Sequence, residues 1–254
     1  MIVAIDGPSG AGKSSVSKAA ARKLGFSCLD TGAMYRAVAW QALHDGIALD
    51  DEEELGRIAR THEIEFEHED GDPVAKHVLI GGVEVTSAIR SAEVDHAVSA
   101  VSAGPAVREA LVEQQRRIGR SGDFVVEGRD IGTTVFPDAE VKVFLTASPK
   151  ARAQRRVAQN AKHGVGCTDF DEVYADILRR DDYDSSRAAS PLRPAEDAVL
   201  IDSTAYSKQE VIDAVCELAR KAGAAGAAGT AGAGEQEAAG AAFAADEHEE
   251  GMAR

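Results

Sequence analysis

Eight consecutive residues near the start of the chain, Gly7-Pro8-Ser9-Gly10-Ala11-Gly12-Lys13-Ser14, restrict its possible folds more than any other feature. They fit the spacing G-x-x-x-x-G-K-[ST] at every fixed position. They also follow an apolar run at 2–6 that reads as a buried strand. Glycines let the backbone curl until successive N–H groups point inward as a nest for an anion. A helix starting at Lys13 then offers the same anion its unbonded N-terminal N–H groups and positive dipole end. Lys13 adds a mobile charge, and the hydroxyl of Ser14 suits Mg²⁺. Such a loop leaves open whether the chain is a GTPase, an ATP-driven motor or a small-molecule kinase.

Downstream, strands and helices alternate. A helix is expected from Lys13 to Leu24, ended by Gly25 as a left-handed cap. A short strand at 26–30 and a helix at 32–44 follow. Residues 61–92 break the rhythm: HEIEFE, HVLIGG and VEVTSAI alternate apolar and polar residues between turn signals, which predicts a small antiparallel sheet. Helical character returns over 92–120. DFVVE at 123–127, VKVFL at 141–145 and AVLID at 198–202 read as buried strands. Ser148-Pro149 pairs an N-cap with Pro at N1 and opens a helix to about 162. Another helix is expected over 170–180, and a capping box at Ser207–Glu210 starts one ending near 221. Nearly all-apolar strands alternating with helices indicate an α/β chain whose parallel sheet is covered on both faces.

The chain carries a net charge of −15, which argues against nucleic acid or an acidic membrane as partner. Residues 222–254 are Ala/Gly-rich, hold six acids against one Arg, and so supply −5 of that charge. They have too few large apolar side chains to offset ordering entropy and are expected to be a disordered tail. No apolar run reaches the ~20 residues of a membrane span. Cys28, Cys167 and Cys216 form no C-x-x-C pair, and the start of the chain does not read as a secretory signal. The expectation is a cytoplasmic protein, taken as a monomer.

Three further segments narrow the choice: LDTGAMYRAV (29–38), VVEGRDIGTTVFPDAEVKVFLTAS (125–148) and RRDDYDSSRAASPLRPAEDAVLIDST (179–204). With the phosphate loop they resemble the bacterial cytidylate kinase family over residues 2–221. The resemblance implies the P-loop nucleoside monophosphate kinase fold, a five-stranded parallel sheet flanked by helices. A small antiparallel acceptor-binding insert (about 61–92) and a short lid (about 150–168) would complete a domain over 1–221. It implies ATP and CMP or dCMP as substrates, with Mg²⁺, and (d)CDP and ADP as products. The ATP site would be Gly7 through Ser14 with Ser15. Arg36, Arg129 and Arg187 would hold the acceptor phosphate, with the hydroxyl of Thr31 near the acceptor. Ser99, Arg108 and Asp130 would read cytosine, and Arg180 and Asp184 would serve the sugar side. Lys13, Arg152 and Arg156 would act on the donor phosphates, with Arg155 among the lid's basic residues.

These residue types suit that chemistry. A monophosphate carries about −1.5 to −2 charge and must approach ATP, another anion. Forked, always-charged Arg binds phosphate better than Lys does. A carboxylate such as Asp130 accepts hydrogen bonds, so it fits the N4 amino group of cytosine and repels the O4 of uracil. If the helix runs on, Arg180, Asp184 and Arg187 share one of its faces. Tyr35 reads as packing. Two positions depart from the family pattern. Ser14-Ser15 stands where some relatives have Gly-Thr, which keeps a metal-binding hydroxyl. Glu127 stands where Asp or Ala is expected, with a contact to the metal's water shell and no role both open. An N-K-x-D guanine motif is absent. A kinase for UMP, AMP or another small acceptor is the nearest alternative, and a nucleotide-gated interaction module is a further one.

Overall fold

The computed structural model describes residues 1–224 except 70, 165 and 188; the expected tail lies, from 225 on, outside the described residues. Five strands form one parallel sheet. Strand β1 (Ile2–Asp6) is central, with β6 (Phe124–Gly128) on one side and β7 (Val141–Thr146) on the other; β2 (Ser27–Asp30) lies beyond β6, and β8 (Val199–Asp202) beyond β7. The register sets Asp6 beside Gly128 and Phe144, and Asp30 beside Glu127. Polar strand ends thus meet along one edge, where open α/β sheets bind ligands.

Strands β1, β2, β6 and β7 are largely apolar because the sheet is covered there on both faces, whereas β8, expected to be buried, is an edge strand with Val199 and Leu200 exposed. Ala4, Leu29 and Val126 pack against α2 (Thr31–His44), α3 (Glu52–Thr61) and α5 (Pro105–Gly119) through Met34, Ile58 and Leu111. Alternate residues Val3, Ile5, Val125 and Val143 pack the other way, onto Val16 of α1 (Lys13–Leu24) and Val215 of the helix over 208–224, α8. Helices α6 (Pro149–His163) and α7 (Phe170–Ser186) share a smaller cluster of Ala153, Val173 and Ile177.

A second sheet joins β3 (Ile64–Glu67), β4 (His77–Ile80) and β5 (Val83–Glu84) antiparallel. Its hairpin turns on Gly81 and Gly82, with φ of 55° and 79°, the left-handed values that a tight two-residue turn demands. The expected caps are present. Gly25 closes α1 with φ 73°, Ser148 accepts from the Ala151 amide, and Ser207 and Glu210 bond reciprocally.

Three expectations change. The helix expected over 92–120 is two, α4 (Ala92–Ala103) and α5, because Pro105 pushes Gly104 out of helical geometry to ψ 118°. Helix α7 runs on to Ser186, but Arg187 takes extended backbone (ψ 134°) and leaves the face that it was expected to share with Arg180 and Asp184. Helix α8 continues through residue 224, past the expected end near 221.

Candidate active site

The carboxyl end of β1 feeds directly into the loop at 7–12. Gly7 (φ 150°) passes so close to β7 that a Cβ there would lie 2.0 Å from the Leu145 carbonyl oxygen. Gly10 and Gly12 are also left-handed, and no side chain caps α1. The first N–H groups of α1 are therefore kept for a ligand. Lys13 folds over the loop, its Nζ donating to the carbonyls of Gly7 (2.7 Å) and Pro8 (2.9 Å). Burial, then the charge of Arg129, make Lys13 release its proton more readily than an ordinary lysine.

Ser14 Oγ donates to Oε2 of Glu127 at 2.9 Å, while the buried Oε1 of Glu127 has no partner among the described residues. Burial, then the charge of Asp30, raise the affinity of Glu127 for a proton. Ser15 is exposed. Thr31, the first residue of α2, donates its hydroxyl to the Glu127 carbonyl at 2.7 Å and pins β2 to β6. Asp6 accepts from the amides of Ile131 and Gly132, both at 2.8 Å, and so ties the root of the phosphate loop to the turn after Asp130. Burial outweighs those two bonds and pushes the Asp6 carboxyl up to about 6.

Beyond that turn, Asp130 forms a buried ion pair with Arg108 of α5 through Oδ2. Its Oδ1 accepts no hydrogen bond from the described residues. The Arg108 guanidinium lies 5.5 Å from the centre of the Tyr35 ring, so Tyr35 belongs to this pocket. Ser99 is half-buried on α4.

Two carboxylates each sit among arginines. Asp184 accepts from Arg129 Nε at 2.8 Å and lies 3.6 Å from Arg187, whose buried Nη2 has no hydrogen-bond partner among the described residues. Asp95 of α4 pairs with Arg36 at 2.5 Å, and Arg180 donates to its backbone carbonyl at 3.1 Å.

The arginines of α6 diverge. Arg156 reaches Ser9 Oγ at 3.3 Å and also faces Asp95, Arg180 and Arg36, so it stands between the phosphate loop and the arginine cluster. Arg155 turns away to the Ser203 hydroxyl and carbonyl. Arg152 is 3% exposed and donates to the carbonyls of Ala147 and Ser9 and to both oxygens of Asp181.

The sequence comparisons point the same way. The family model described as cytidylate kinase matches residues 3–221. The chain belongs to the cytidylate kinase family. It is 50% identical over 216 residues to the cytidylate kinase of Desulfitobacterium hafniense, covering 85% of this chain and 91% of that one. The cytidylate kinase of Rhodococcus opacus is 52% identical over 214 residues, with 84% and 91% covered. A bifunctional pantoate ligase/cytidylate kinase of Synechococcus is 51% identical over 220 residues, 87% of this chain and 41% of that longer protein. As a cytidylate kinase family member the chain is a phosphotransferase. Among its described helices none is long and apolar enough to cross a membrane.

Sequence reasoning passed over Asp6, Asp95 and Asp181, and read Tyr35 as packing alone. Asp6 carried a local signal, a carboxylate ending an apolar strand just before the phosphate loop. Asp181 lay in the RRDDYD run already singled out, but its partner Arg152 is 29 residues away.

Proposed function

We propose that this chain transfers the γ-phosphoryl group of ATP to CMP or dCMP. One observation carries the reading. Arg156, reaching the phosphate loop, also faces a cluster in which Arg36 pairs with the Asp95 carboxylate and Arg180 donates to the Asp95 backbone carbonyl. Five arginines, Arg36, Arg129, Arg156, Arg180 and Arg187, are what two phosphate-bearing anions held side by side require. Residues 61–92 are assigned as the acceptor-binding insert and 150–168 as the lid.

In this reading Gly7 to Ser14, with Ser15, carry ATP, its phosphates on the α1 N-terminus and Lys13. Arg36, Arg129 and Arg187 hold the acceptor phosphate beside Thr31. Arg180 and Asp184 hold the sugar. Asp130 Oδ1 accepts from the N4 amino group of cytosine, with Arg108, Tyr35 and Ser99 framing the base. The acceptor's phosphate oxygen is already a nucleophile, so no protein base is needed. Charge spreading over the transferred group is stabilised by Lys13 and Arg156. Arg152, its donors committed to Ser9, Ala147 and Asp181, shapes the phosphate loop rather than touching phosphate.

The hydroxyl of Ser14 and the unpartnered buried oxygen of Glu127 fit Mg²⁺, a hard cation that prefers such oxygens. Mg²⁺, when bound, supplies neutralisation of the donor phosphate charge. A monomer is the proposed state. The free cysteines Cys28, Cys167 and Cys216 support a reducing, cytoplasmic setting.

A coupled assay with ATP, Mg²⁺ and CMP, dCMP, UMP or AMP tests the reading. Turnover highest with the cytosine nucleotides supports it, and no turnover of CMP at saturating ATP ends it.

A further inference from the structure

Asp95 stands on α4 one turn before Ser99 and within the first turn of its helix. An acid there favours the helix dipole, and that alone would leave its side chain free to point at solvent. Instead its carboxylate crosses to α2 and lies 2.5 Å from Nη1 of Arg36, the guanidinium assigned to the acceptor phosphate. Arg36 is otherwise held by the Ile89 carbonyl at 3.2 Å, and Arg180 by the Asp95 carbonyl at 3.1 Å. Burial opposes ionisation of Asp95, but Arg36, then Arg180 and Arg156, outweigh it and keep the carboxyl below the usual range. Asp95 is therefore an anion at working pH, placed where an acceptor phosphate would have to make its own bonds.

We propose that Asp95 sets the acceptor affinity of this chain by competing with the nucleotide's phosphate for Arg36. The proposal rests on the reading of Arg36 as a phosphate ligand. The phosphate dianion carries more charge than the carboxylate and can engage Arg36, Arg129 and Arg187 together, so it displaces Asp95. Displacement costs part of the binding energy, which weakens the hold on the substrate and on the diphosphate product alike. Asp95 thus acts as a positioning residue that aligns Arg36 and then yields it.

The test uses the full chain and four proteins: wild type, Asp95→Asn, Arg36→Ala and the double variant. Asp95→Asn keeps the shape and removes the charge. It should lower KM for CMP by about three- to tenfold, the scale of releasing a half-buried ion pair. KM for ATP should stay unchanged, as should inhibition by cytidine, which has the base and sugar but no phosphate. In the Arg36→Ala background the same change should leave KM for CMP unmoved. If Asp95→Asn leaves or raises KM for CMP while Arg36→Ala raises it, the competition is refuted and the phosphate reading of Arg36 stands. If Arg36→Ala does not raise KM for CMP, that reading fails and the inference falls with it. Asp95→Ser provides the same comparison should the Asn variant be too unstable to assay.

Discussion

Asparagine at position 130 would swap one acceptor oxygen for an amide donor without changing the outline of the pocket. Asp130 is 4% exposed and bonds Arg108 through Oδ2, while Oδ1, proposed to face the base, accepts no hydrogen bond from the described residues. In Asp130→Asn the amide oxygen can keep Arg108, and the NH₂ group then faces the base. Cytosine meets it with another donor, its N4 amino group; uracil meets it with the O4 acceptor. The lost bond is one to a charged acceptor, worth ~1.5–3 kcal/mol. That corresponds to a fall of roughly 10- to 150-fold in kcat/KM for CMP. For UMP the new donor fits, so kcat/KM should hold or rise, and the CMP/UMP ratio should drop by at least roughly tenfold. The assay follows diphosphate release under subsaturating acceptor at fixed ATP, with the melting temperature taken alongside to confirm folding. Equal losses for CMP and UMP in a folded variant would refute Asp130 as the base reader.

Lys13→Ala should lower kcat by at least ~10²-fold, since it deletes a charge aimed at the transferred group; near wild-type turnover would remove Lys13 from the mechanism. Asp6 gives a pH prediction. Its carboxyl titrates at about 6 when folded, against 3.8 ordinarily, so between those values the folded chain holds a proton that the unfolded chain has lost. Stability contributed by this group is full at low pH and falls as pH rises towards 6, by on the order of 3 kcal/mol at ~1.36 kcal/mol per pH unit. Denaturant unfolding at pH 4 and pH 7 should show Asp6→Asn gaining on wild type as pH rises, and a constant difference would contradict this. Asp181→Ala strands the buried Arg152 guanidinium and should cost about 2–3 kcal/mol of stability, read from the same unfolding curves; a neutral substitution would show that Arg152 is not held by Asp181.

Features encoded within a few residues were legible in the sequence. The phosphate loop, the apolar strands, the Ser148 and Ser207 caps and the paired glycines at 81–82 each follow from local chemistry. The break at Gly104-Pro105 was equally local, a proline signal that the single helix expected over 92–120 passed over. The site is different, because its decisive contacts span the chain. Asp6 reaches the amides of Ile131 and Gly132, and Arg108 meets Asp130, only because the parallel register brings distant strand ends to one edge. Resemblance to the family supplied the arginines and the carboxylates Asp130 and Asp184, but not Asp95 or Asp181. Asp95 and Asp181 look like ordinary acids on exposed helices until the fold sets them against Arg36 and Arg152.

Nη1 of Arg152 donates both to the Ser9 carbonyl and to Asp181, and Asp181 is the neighbour of Arg180 on the same helix. Under the proposed roles, a shift of α7 on binding a sugar would pull on the loop proposed to receive ATP. Substrates bound at the two ends of this contact would then be coupled. Whatever factor ATP lends to the grip on CMP, CMP must return to ATP.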